Sequence, residues 1–69
     1  MQEHVQLEVS LEVIMAEIAQ EMHNLTKAKE KQENVSAFEK KLDNLIILQE
    51  EAYKGNRKAI LKILNREFD

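Results

Sequence analysis

Sixty-nine residues, no cysteine and a formal net charge of −3 confine the chain to a single domain without disulfides or thiolate metal sites. A chain this short gains only roughly 3–5 kcal/mol from one core. With two histidines far apart, a structural zinc site does not fit either, so association between chains is the remaining source of stability. Three aromatic residues (Phe38, Tyr53, Phe68) are too few for a surface that stacks single-stranded nucleic acid, and the acidic balance argues against a nucleic-acid partner in general. No apolar run is long enough to span a membrane, and the first residues lack the basic region and apolar run of a signal peptide, so cytoplasmic residence is expected.

With no proline, one glycine and abundant Glu, Lys, Leu, Ala, Gln and Met, the composition favours helix. In chain order, the apolar positions Leu7, Leu11, Ile14, Ile18, Met22 and Leu25 are spaced by 4, 3, 4, 4 and 3 residues, one face of an α-helix. Glu3, Glu8 and Glu12 near its start and Lys27, Lys29 and Lys31 near its end complement the helix dipole at both ends. A competing reading exists, because Val5, Leu7, Val9, Leu11 and Val13 alternate with polar residues as a half-buried strand does. No second alternating segment is present to pair with it, and a lone strand would leave an open edge, so the helix is preferred. The spacing predicts a helix over about 4–31.

Polar residues including Asn34 predict a turn over about 32–35. Ser36 followed by Glu39 matches a capping box, with Ser36 as the N-cap of the next helix. The second apolar stripe is Val35, Phe38, Leu42, Leu45, Ile46, Tyr53, Ile60, Ile63 and Leu64. Gly55-Asn56 could end a helix, yet the stripe keeps its phase through the glycine. One helix over about 36–66 is therefore expected, weakened at Gly55 by roughly 1 kcal/mol, with a break at 55–56 as the alternative.

Helices over 4–31 and 36–66 would be roughly 42 and 47 Å long at 1.5 Å per residue. A short connection makes them antiparallel neighbours, which would set Leu7 near Ile60, Ile18 near Ile46 and Leu25 near Phe38. The expected fold class is therefore all-α: a long antiparallel helical hairpin, dimerising into a four-helix bundle. Charge agrees with that arrangement, because residues 1–26 carry five Glu and no Lys or Arg, while the remainder has a net charge of +2. The acidic first half would face the basic stripe Lys54, Lys58, Lys62 and Arg66.

Apolar residues also lie outside the two stripes. Val5, Val9, Val13 and Ala16 fall almost opposite the Leu7–Leu25 face, and Ile47, Leu48 and Leu61 stand apart from the stripe of the second helix. Aligned at helical spacing in a chain short of core, these seven are the candidate interface, for a second copy of the chain or for a helix from another protein. Gln49 and Asn56 fall within the core stripe, where a polar residue can fix register and oligomeric state.

No constellation suited to catalysis is apparent. The chain has no Glu-x-x-His, so a di-metal bundle site at His4 or His23 is not expected. Ser10, Ser36 and Thr26 have no predictable histidine and carboxylate around them, and no glycine-rich phosphate loop exists. No cofactor is expected. The stretch Leu42-Asp43-Asn44-Leu45-Ile46, preceded by Val35 and Phe38, resembles the second helix of the small sporulation-type aspartyl-phosphate phosphatases, short helical hairpins that act on a response regulator. That resemblance would make Asp43 the functional residue. The family's Ser-Gln-Glu-Leu-Asp box is here Glu39-Lys40-Lys41-Leu42-Asp43, so its first three residues differ. The sequence thus points first to a non-enzymatic interaction or regulatory protein. A response-regulator phosphatase is its first alternative, and a weak nucleic-acid binder using Lys54, Arg57, Lys58, Lys62 and Arg66 its second.

Overall fold

The computed structural model describes residues 2–68, with side chains from His4 onward, so the expected role of Glu3 at the helix start lies outside the described side chains. Three α-helices follow in chain order: α1 (Gln2–Glu30), α2 (Ser36–Tyr53) and α3 (Arg57–Leu64). No strand occurs among the described residues; the alternating Val5–Val13 segment is helical. Its neighbours Gln, Glu and Met are good helix formers, and nothing in the chain offers it a pairing edge.

Each helix ends in the same way. Beyond α1, Gln32 takes a left-handed conformation (φ 59°), its N–H donates to the Lys29 carbonyl at 3.0 Å, and the N–H of Glu33 reaches Ala28 at 2.9 Å. Beyond α2, Gly55 (φ 84°) donates to Ala52 at 2.9 Å and Asn56 to Glu51 at 3.0 Å. Beyond α3, Arg66 (φ 56°) donates to Ile63 at 3.0 Å and Glu67 to Lys62 at 2.8 Å. All three are Schellman closures, which satisfy carbonyls that would otherwise be left at a helix end.

Two expectations about helix ends are corrected. The capping box does not form: the residue preceding α2 is Val35, without a side-chain cap, and Ser36 is the first helical residue. Asn34 takes its place, its Oδ1 accepting from the Ser36 N–H at 2.9 Å and the Ser36 hydroxyl at 2.7 Å. With its hydroxyl committed as a donor to an Asx turn, Ser36 is not the cap.

The single helix expected over 36–66 is two helices. Gly55 closes α2, and the adjacent Asn56 opens α3 by accepting from the N–H groups of Lys58 at 3.0 Å and Ala59 at 3.3 Å. Its amide also donates to Glu51 Oε1 at 3.1 Å. A good stop and a good start side by side outweigh an apolar phase that is merely compatible with continuation. Buried Leu45, Ala52 and Ala59 keep a spacing of seven residues, but on two helices with different axes, because α3 folds back on α2.

These closures give a prediction with two signs. A Cβ on Gly55 would meet nothing within 4 Å, so Gly55→Ala costs only the left-handed backbone, about 1 kcal/mol. Gln32 already bears that strain, so Gln32→Gly is expected to stabilise by roughly 0.5–1 kcal/mol. Urea midpoints should therefore move in opposite directions for the two variants. Movement in the same direction would mean that one of the turns is misassigned.

The molecule measures 47 × 17 × 15 Å, its long axis set by the 29 residues of α1. α2 runs back along α1 and brings Gly55 beside Leu7 at the start of α1, and α3 then turns back over the pair, so that Lys62 and Phe68 lie beside Asn44 and Leu48. The core is Ile14, Leu45, Ala52, Ile60 and Ile63, flanked by half-buried Leu7, Leu11, Val13, Ile18, Leu48, Leu64 and Phe68.

Candidate interaction surface

Buried Ile14, Glu21 and Ala28 recur every seven residues on α1, with buried Ser10 four positions before Ile14. Leu45 and Ala52 do the same on α2. A seven-residue repeat drifts by about 20° per heptad from an ideal helix. Three residues assigned to the core by 100° spacing are displaced to the outside as a result. Met22, Ile46 and Tyr53 are 54%, 39% and 64% exposed, respectively. Glu21 occupies the seam where Met22 was expected.

Two flanks follow from this seam. Because α1 and α2 run in opposite directions, residues displaced by the same number of positions from the seam emerge on the same side of the pair. Four positions before Glu21 and Leu45 stand Glu17 and Lys41. They meet there: Lys41 Nζ lies 3.9 Å from Glu17 and 3.3 Å from Glu21. Asn24 donates to Glu21 Oε1 at 3.4 Å and accepts from Gln20 at 3.3 Å, extending a polar flank. One position after Ile14, Glu21, Leu45 and Ala52 stand Met15, Met22, Ile46 and Tyr53. All four are exposed, and they form the opposite, apolar flank.

The seven candidate interface residues separate into two groups. Val5, Val9, Ala16, Ile47 and Leu61 are exposed, whereas Val13 and Leu48 pack against the core. The exposed valines lie on the outer edge of α1 and Ile47 on the outer edge of α2, so they do not share a surface with each other. The Met15–Met22–Ile46–Tyr53 flank is the surface that sequence reasoning missed. Its signal was present in the spacing of seven from Met15 to Met22 and from Ile46 to Tyr53.

Charge pairing between the helices also differs in detail from expectation. Lys41 supplies the contact with the acidic first helix, while Lys54 pairs with Glu51 of its own helix at 3.7 Å. Among the described residues, no salt bridge ties Lys58, Lys62 or Arg66 to α1. Gln49 is half-buried at the seam, and Asn56 is the exposed cap of α3.

The polar interior is satisfied. Buried Ser10 donates its hydroxyl to the Leu7 carbonyl at 2.8 Å, and among the described residues no buried side-chain polar atom lacks a partner. His4 sits 3.1 Å from Glu8 on an exposed turn of α1, and His23 is exposed. Among the described residues, no three His, Asp or Glu side chains are grouped so as to hold a metal. Asp43 is exposed on α2. No described helix is long and apolar enough to cross a membrane. An open cleft of about 500 Å³ lies between the start of α1 and α3, where His4, Gln6 and Arg57 join Leu7, Ile60 and Leu61. No protein-family model matches the chain, and neither a curated protein nor a solved structure matches it.

Proposed function

We propose that this chain is a small non-enzymatic interaction or regulatory module, a self-associating helical unit that binds another protein through its helical surfaces. One observation carries the reading. Among the described residues, eight large apolar side chains are exposed, from Val5 to Leu61, whereas only Ile14, Leu45 and Ile63 are large apolar residues with no accessible surface. Scattered apolar exposure is ordinary, but here the exposed residues follow helical spacing on a chain with little core to spare. Self-association uses one such surface, and the outer edges bearing Val9 and Ile47 remain for a different protein.

Photo-crosslinking in the native host tests the partner-binding half. Benzoylphenylalanine at position 9 or 47 is expected to yield a discrete adduct with a second, different protein, and at exposed Lys40 none. Absence of any adduct from both edges would overturn it. Loss of phosphate from a phosphorylated receiver domain, abolished by Asp43→Ala, would overturn the non-catalytic part.

A further inference from the structure

We infer that the Met15–Met22–Ile46–Tyr53 flank is covered by a second copy of this chain, related by a two-fold axis that passes between Met15 and Met22. This deepens the self-association proposed above and rests on it.

Two observations converge. The first is the asymmetry between the flanks. The Lys41–Glu17–Glu21 side already satisfies its charges internally, whereas the other side exposes Met15 (56%), Met22 (54%), Ile46 (39%) and Tyr53 (64%) with no partner in the monomer. Only one side therefore gains by being covered, and a two-fold contact on one side closes as a dimer rather than a filament.

The second is self-complementarity. Continuing the same seven-residue row on α1 gives Glu8, Met15, Met22 and Lys29: an acid, two apolar residues and a base. Laid antiparallel on its own copy, this row places Met15 over Met22 and Glu8 over Lys29, each once from either chain. On the same side of the pair, α2 adds Ile46 and Tyr53 to the apolar surface that the second copy covers. A row that is apolar in the middle and opposite in charge at its two ends suits a second copy better than an arbitrary helix. Charge at the ends then fixes the direction of approach.

Sedimentation equilibrium over a wide concentration range tests this with three chains. Wild type is expected at twice the 8.1 kDa of one chain. Met22→Glu/Ile46→Glu should self-associate roughly a hundredfold more weakly, because two carboxylates from each copy would be buried without partners. Val9→Glu/Ile47→Glu, on the outer edges, should remain dimeric. A monomeric wild type would overturn the inference, while the crosslinking from positions 9 and 47 would still judge partner binding on its own. A dimer dissociated by the outer-edge changes and not by the flank changes would overturn the flank assignment and leave self-association standing. Should the flank variant lose its helicity, thiol reactivity decides instead, since the chain has no cysteine of its own. The thiol of Ile46→Cys should be shielded from maleimide as concentration rises and that of Ile47→Cys should not; equal reactivity would overturn the inference.

Discussion

Leu45→Ala is expected to unfold most of the chain at room temperature, while Ile47→Ala, two residues along the same helix, leaves it folded. Leu45 has no accessible surface and sits in the cluster that joins all three helices. Truncating a buried leucine to alanine costs about 2–5 kcal/mol once the cavity is included. The whole core of a chain this size supplies roughly 3–5 kcal/mol, so the loss is comparable to the total. Ile47 is 56% exposed, and its truncation removes little that is hidden from water. Its effect should stay within about 0.5 kcal/mol. Both changes end in alanine and gain helix propensity, so the comparison isolates burial. Circular dichroism with urea titration reads it directly. A large loss from Ile47→Ala would mean that this outer edge is covered in solution, and a mild effect of Leu45→Ala would remove Leu45 from the core.

The all-helical character was legible from composition, and the position of the first turn from its polar residues. What could not be read was the competition at residues 54–56. Gly55 and Asn56 were each recognisable, but the apolar spacing of Leu45, Ala52 and Ala59 is compatible with a straight helix and so hid the reversal. The packing and the hydrogen bonds distinguish the two: α3 folds back to set Phe68 beside Asn44 and Leu48, and the Asn56 side chain accepts from Lys58 and Ala59, for which a continuous helix would have no use.

The seam was misplaced for a related reason. Spacings of three and four from Ile14 and Ile18 lead to Met22 by apolarity, and a rule that places apolar residues inside has no way to choose Glu21. The packed helices choose it because Lys41 waits across the seam at 3.3 Å, and because a repeat of seven, not 7.2, keeps two helices in contact along their length. A buried carboxylate is seldom a sound expectation from sequence. Once its partner is known, the displacement of Met22, and with it the apolar flank, follows from helix geometry.

That same pair carries the second large effect. Lys41→Met is expected to destabilise the chain by about 1–3 kcal/mol, because it leaves the Glu21 carboxylate unpaired at a site where its side chain is 7% exposed. The figure is set below that for a wholly enclosed pair because the Lys41 side chain keeps 38% of its surface in water. Asn24 at 3.4 Å compensates only in part. Replacing both partners, as Glu21→Leu/Lys41→Met, should restore wild-type stability or exceed it, since two well-packed apolar residues avoid the desolvation that the ion pair suffers. A urea-based double-mutant cycle measures the coupling, and additive effects of the two single changes would show that the pair does not interact in solution.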